Sequence, residues 1–297
     1  MTHFELTVSI VVYKPKMEQL QQTLNSLCKT PLQLQILLSD NSPSPLDMAQ
    51  LTCSKPLKYT FNGKNLGFGR AHNQNLLSLP QAQSHGYFLV LNPDVYFDGK
   101  LISELLIRMQ QDPEIGLCIP QICHPSGKMQ LINRRVPRPT DLLVNFLSCK
   151  FKTELFKTES YNWYQLKDVE KNKTFLCPTI SGCFMFFRAD AFVENNGFDE
   201  RYFLYLEDTD LSRRISEQYR TVVFSDLTAY HHWSRGAYRN LTLFLIFLQS
   251  MVLYFNKWGW VRDPLREALN KQVDYYELKQ KKSQSPAHNS VLHSAQL

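Results

Sequence analysis

The chain has no Cys-x-x-Cys pair, no Gly-x-Gly-x-x-Gly after its first strand-like segment, no internal repeat and no apolar run of full membrane-spanning length. Each absence removes a class of protein. The seven cysteines (Cys28, Cys53, Cys118, Cys123, Cys149, Cys177 and Cys183) are odd in number and scattered. That pattern argues for free thiols in a reducing compartment, against a disulfide frame or a zinc site. The missing glycine fingerprint argues against a dinucleotide-dependent oxidoreductase. The first residues lack a basic region followed by an apolar stretch and a small-residue cleavage site, so no signal peptide is expected. The apolar run 241–255, interrupted by Gln249 and Ser250, is short of the about 20 residues that a spanning helix requires.

What remains is a chain of 297 residues, enough for one large domain or one and a half, with a hydrophobic fraction of 43% that can fill a core. Its 33 basic and 27 acidic residues leave a net charge of +6. So moderate an excess suits an anionic substrate or an anionic membrane surface and does not demand nucleic acid. Strand-like runs at 6–13, 34–38, 57–61 and 87–91 alternate with helical spacing at 17–28, 70–79 and 100–111. The alternation predicts an α/β unit with a mainly parallel sheet. Such sheets bind ligands beyond the carboxyl ends of their strands, where Tyr13, Asp40 and Asp94 fall. From about 116 to 163 the pattern loses regularity, and Arg134, Arg135 and Arg138 cluster there with prolines. Further on, 179–187 is apolar with a Ser181-Gly182 kink, and 221–224 is a strand candidate.

The richest stretch is Leu204-Tyr205-Leu206-Glu207-Asp208-Thr209-Asp210-Leu211, three carboxylates in an apolar frame. Burying carboxylates is costly unless they are paired, and the cost is tolerated where a base or cation site is needed. A second acid, Asp94, ends the strand-like run 87–91 through Asn92-Pro93. One strand-end acid and one distant acid cluster suggest metal-assisted group transfer with its own base.

These motifs, in this order, resemble family 2 inverting glycosyltransferases of the GT-A fold, and among them the rhamnosyltransferase-type enzymes of bacterial surface-polysaccharide assembly. The resemblance spans about residues 6 to 262. It is carried by Ser9-Ile10-Val11-Val12-Tyr13, Ser39-Asp40-Asn41-Ser42, Asn65-Leu66-Gly67-Phe68-Gly69-Arg70-Ala71-His72-Asn73, Leu91-Asn92-Pro93-Asp94-Val95, Ser181-Gly182-Cys183-Phe184 and Phe198-Asp199-Glu200 leading into Glu207-Asp208-Thr209-Asp210-Leu211. It implies a Rossmann-like nucleotide-diphospho-sugar transferase fold: a mixed, mostly parallel central sheet flanked by helices, with a C-terminal helical extension. The implied division is a catalytic domain at 1–236 (donor half to about 115, acceptor half from 116), a helical and membrane-associated segment at 237–278, and a disordered tail at 279–297.

The resemblance also implies roles. Asp208 matches the general base that takes the acceptor hydroxyl's proton, and Glu207 orients that hydroxyl or a neighbour; Asp210 either caps the helix or pairs with Arg213 or Arg214. Asp94 and His231, the latter in preference to His232, match ligands of Mg²⁺ or Mn²⁺, although Asn92 replaces the first carboxylate of the usual Asp-x-Asp pattern. Tyr13, Asp40, Asn65, Gly67, Arg70, Asn92 and Arg235 match the donor side. Asp40 is either a partner of the pyrimidine base or a turn former, and Arg70 binds either phosphate or a surface carboxylate. The implied partners are a nucleoside diphosphate sugar (dTDP-rhamnose first, a UDP-hexose or UDP-galactofuranose as alternatives) and a polyprenyl-diphosphate-linked glycan. The implied location is the cytoplasmic face of the cell membrane, with 241–260 either a core helix or a membrane-resting surface. A non-catalytic carbohydrate-binding relative is the rival of a different class.

Overall fold

The computed structural model describes residues 5–77, 79, 86–151, 158–169, 173–232 and 241–283. In chain order its elements are β1 (Leu6–Val12), α1 (Met17–Cys28), β2 (Leu34–Asp40), β3 (Leu57–Phe61), α2 (Phe68–Leu76), β4 (Tyr87–Leu91), β5 (Val95–Phe97), α3 (Lys100–Gln111), β6 (Ile115–Cys123), α4 (Pro139–Phe151), α5 (Glu159–Tyr164), β7 (Phe175–Leu176), β8 (Phe184–Arg188), α6 (Ala189–Glu194), α7 (Glu207–Ile215), β9 (Arg220–His231), α8 (Leu241–Trp258) and α9 (Pro264–Ser283). One mixed sheet runs in the order β3-β2-β1-β4-β8-β6-β9-β5, with β7 added against β9.

Strands β1 to β4 lie parallel, in register from Leu6↔Leu34 to Val12↔Asp40 and from Leu6↔Tyr87 to Ile10↔Leu91. Their carboxyl ends therefore share one edge of the sheet. β8 enters antiparallel, pairing Leu91 with Phe184, so the segment just before β8 reaches that same edge. Burial on both faces explains the near-continuous apolar runs: all five residues of β4 and all nine of β6 are buried. Helix α1 covers one face with Leu20, Leu24 and Leu27, as its spacing predicts.

Two strands depart from the expected pattern. β6 falls where the sequence looks irregular, because Pro120 sits in mid-strand; its missing N–H coincides with a register shift between Pro120 and Gln121. On the partner strand the same shift leaves Ser225 to Leu227 bulged out between the pairs Pro120↔Phe224 and Gln121↔Thr228. β9 therefore does not end near Phe224; it resumes beyond the bulge and runs on to His231.

The C-terminal helices pack on the domain. α8 continues to Trp258 and, at 18 residues, becomes long and apolar enough by composition to cross a membrane. Its contacts are those of a docked helix: Tyr254 and Phe255 join Leu142, Tyr164, Tyr202 and Leu206 in a second small core. Its outer face is bare, with Leu241 73% and Leu245 56% exposed. The fully buried Arg213 of α7 donates to both oxygens of Asp263 and to the Tyr254 hydroxyl, and lies 3.8 Å from the Trp258 ring centre. Lys257 and Arg266 turn inward, to Asp199 and Asp210 and to the Val261 carbonyl, and so do not face a headgroup layer. α9 extends through Ser283, past the boundary suggested by its polar composition.

Candidate active site

The pairing of β5 with β9 sets Val95 opposite His231, which brings His231 Nε2 to 3.3 Å from Asp94 Oδ1. Gln130 fixes the ring from behind. Its amide nitrogen donates to the His231 carbonyl at 2.7 Å and its oxygen meets Nδ1 at 3.2 Å. An amide oxygen only accepts, so Nδ1 carries a proton. In the neutral ring Nε2 would then turn a lone pair toward a carboxylate. A shared positive charge resolves that conflict. In the protein alone a second proton does so: burial disfavours the imidazolium, but Cys183 and Asp94 outweigh it and raise the ring to about 10. A divalent cation fits the same place, since two cis ligands at about 2.1 Å from an octahedral ion lie about 3 Å apart, and such ions complete their shells with phosphates and water. Among the described residues no group of three or more His, Cys, Asp or Glu could hold an ion unaided. His232 is turned elsewhere, to Gln22 at 2.9 Å.

The acid cluster opens α7, where the helix dipole favours negative charge. Two successive residues before it, Tyr205 and Leu206, have φ of 74° and 65°. For non-glycine residues such backbone costs on the order of 1–3 kcal/mol each and persists only where surroundings enforce it. Asp208 accepts from the Gly182 N–H at 2.9 Å and the Thr209 N–H at 2.7 Å. Burial raises its pKa, while those donors and Arg134 pull it back. Glu207 is more deeply buried, and its Oε2 has no hydrogen-bond partner. Burial, then the charge of Asp208, lifts its pKa well above the usual carboxylate range. Of two adjacent carboxyls the better-solvated one ionises first. Asp208 thus gives up its proton more readily than Glu207 does. Asp210 is structural: fully buried, it takes Arg214, Lys257 and the Trp258 indole N–H.

The two acidic elements meet around Ser181-Gly182-Cys183. Gly182 bonds Asp208, and the Cys183 carbonyl accepts from the Asn92 N–H at 2.9 Å, two residues before Asp94. Space at 182 is tight: a Cβ there would lie 3.1 Å from the Phe68 ring, which would have to give by a few tenths of an ångström, and 3.5 Å from the Asp208 Cβ.

On the donor side Tyr13 is exposed beside Lys14, whose φ is 48°. Asp40 is wholly buried; its carboxylate accepts from the N–H groups of Ser42 and Leu46 and from the Tyr59 hydroxyl at 2.7 Å, the turn-forming arrangement. Asn65 receives the Gly67 N–H, and Asn41 reaches both Asn65 and the Gly67 carbonyl. Gly67 serves the fold itself: at φ 85° a Cβ there would be 2.4 Å from the Phe203 carbonyl oxygen, so its close approach is to the acid-bearing loop. Arg70 is half exposed and lies 3.6 Å from Glu200. Arg235 falls outside the described residues. Sequence reasoning missed Gln130, in the irregular stretch, and Arg134 as a neighbour of Asp208. It also gave no role to His72, which is fully buried, 2.7 Å from the Ser9 hydroxyl and kept neutral by burial, its pKa lowered to about 3.

The sequence profile of glycosyl transferase family 2 matches residues 7–194. The chain belongs to glycosyl transferase family 2. Over 278 residues it is 27% identical to the N-acetylglucosaminyl-diphospho-decaprenol L-rhamnosyltransferase of Mycobacterium tuberculosis, covering 89% of each chain. It is 26% identical to the rhamnosyltransferase WbbL of Escherichia coli, covering 70% of this chain and 75% of that one. The fold is GT-A. Its likeness to the crystal structure of GalNAc-T7 with UDP, GalNAc and Mn²⁺ has a TM-score of 0.53 at 14% identity, over 78% of this chain and 45% of that one. This family 2 chain thus spans under half of that structure, and the acid cluster of α7 lies beyond the profile's end.

Proposed function

We propose that this glycosyltransferase is metal-dependent and inverting, and that it moves rhamnose from dTDP-rhamnose to a hydroxyl of a polyprenyl-diphosphate-linked glycan at the cytoplasmic membrane face. The gathering of Asp208, Asp94 and His231 around the Ser181–Cys183 segment carries this reading. The acceptor hydroxyl donates its hydrogen bond to Asp208, which takes the proton as the oxygen attacks the anomeric carbon and the diphosphate leaves from the opposite face. Glu207, protonated, orients the acceptor. Asp94 and His231 would hold Mg²⁺ or Mn²⁺, which when bound offsets the charge developing on the diphosphate.

The names of the mycobacterial and E. coli relatives support rhamnose as the sugar, and the former supports a lipid diphosphate carrier. The Mn²⁺ in the GalNAc-T7 structure supports a cation in this fold. A membrane-resting role for α8 is supported by its bare outer face, continued onto α4 by exposed Leu143 and by Phe146 stacked on Phe244 at 4.6 Å. The inward contacts of Ser250, Lys257 and Trp258 favour lying on the bilayer over crossing it.

The test is nucleotide release. Purified protein with Mn²⁺ is given dTDP-rhamnose, UDP-hexoses or UDP-galactofuranose, with and without lipid-linked acceptor. Acceptor-dependent dTDP release is expected, and Asp208→Asn should lower it about 10²–10⁴-fold. Release of UDP alone would reassign the donor. An undiminished Asp208→Asn would overturn the base assignment and favour a carbohydrate-binding relative.

A further inference from the structure

We infer that α8 is a positioning element for catalysis: its inner face holds the turn 204–206 in the conformation that aims Asp208 at the acceptor. The inference rests on the functional reading above, and α8 lies outside both the matched profile and the residues assigned to chemistry.

Three kinds of contact converge on the turn from this one helix. The buried Ser250 hydroxyl donates to the Leu204 carbonyl at 2.8 Å, immediately before the two left-handed residues. Leu206 is anchored in the small core with Tyr254 and Phe255, and the Tyr205 ring packs edge-on against Phe247 at 6.0 Å. Below the turn Lys257 lies 2.9 Å from Asp199 and 2.8 Å from Asp210, while the Trp258 indole donates to Asp210 at 2.7 Å. Asp210 is itself tied to the turn, since its N–H donates to the Leu206 carbonyl at 2.8 Å. The opposite side of the loop is pinned by α2: the Phe68 N–H donates to the Phe203 carbonyl at 2.9 Å. Two neighbouring left-handed residues have no local reason to stay left-handed. What enforces them is this clamp, and half of it is α8.

The charged groups facing Asp208 are Glu207 on its own helix and Arg134 from the segment before α4. Substitutions on α8 leave both in place. A slackened turn admits water to Asp208 and relieves the burial that raises its pKa, so the acidic limb of the rate profile moves to lower pH.

The experiment compares Ser250→Ala, Lys257→Met and Lys257→Arg with the parent full-length protein. It measures kcat, donor KM, the pH profile of kcat and amide exchange over 203–210. The expected result for Ser250→Ala and Lys257→Met is a kcat about tenfold lower, donor KM within about twofold, an acidic limb displaced downward and faster exchange in the turn. Lys257→Arg should restore part of the rate. Unchanged kcat and pH profile in Ser250→Ala would overturn the inference, as would a loss matching only the unfolded fraction in a thermal melt. Should Lys257→Met fail to fold, Ser250→Ala decides alone, because it deletes a single hydroxyl. Asp208→Asn in the same assay separates the two claims. If it is active, the functional reading fails; if it is inactive while the α8 variants match the parent, only the positioning role fails.

Discussion

Glu207 and Asp208 are neighbours in sequence with the same functional group, and their surroundings separate them. Asp208 has two backbone donors and Arg134, whereas Glu207 has an unpartnered buried oxygen. The raised pKa of Glu207 carries a sign for stability. The folded state holds that proton more tightly than the unfolded chain does. Its contribution is therefore present at acid pH, below the unfolded pKa, and is lost as pH rises through the folded value. Glu207→Gln removes the penalty. It should stabilise the fold near neutral pH by about 0.5–2 kcal/mol while lowering transfer, with the gain vanishing at acid pH; melting curves across pH check this. A second residue-scale outcome concerns thiols. Burial raises Cys28, but hydrogen bonds from Cys53, Ser54 and Lys55 outweigh it, whereas burial alone lifts Cys118. Brief alkylation followed by peptide mass analysis should label Cys28 before Cys118.

At the scale of elements, the loop that carries the acids is built against the glycine-bearing start of α2 as well as against α8. Gly67 and Gly69 face Phe203 and Phe198, and Asn73 exchanges two hydrogen bonds with the Phe198 backbone. Gly67→Ala combines a left-handed backbone with a Cβ driven into a carbonyl, so a loss of about 2 kcal/mol or more in urea unfolding is expected. Here the sequence was legible for what repeats and opaque for what does not. Helices α1 and α3 and strands β3 and β4 coincide with their expected limits, because periodicity and clear breakers bound them. The strand-end positions of Asp40 and Asp94 followed directly. β6 was hidden by Pro120, and the far half of β9 by the polar break Ser225-Asp226. Gln130, which aims His231, contacts it across 101 residues of chain, a pairing no local pattern encodes.

At the scale of the whole molecule, α8 faces two ways. Inward it carries Ser250, Tyr254, Lys257 and Trp258; outward it offers Leu241, Leu245 and Val252. The pair Leu241→Asp and Leu245→Asp touches only the outer face. Co-sedimentation with anionic phospholipid vesicles should fall at least about tenfold, while nucleotide release with a water-soluble acceptor stays at the parent level. Loss of both together would mean that these side chains serve the fold.

The looped-out residues Ser225 to Leu227 give β9 a reserve of slack midway along its length. Trimming one of them shortens the slack and leaves the pairs on either side undisturbed. Removing one of Thr228, Ala229 or Tyr230 can draw on the same slack: Leu227 moves into the place opposite Gln121, the bulge shortens by one residue, and the imidazole of His231 stays on the face that meets Asp94. A single deletion anywhere in 225–230 should thus leave transfer measurable, whereas removing all three bulged residues together with one paired residue should abolish it, because no slack then remains to hold the register of His231.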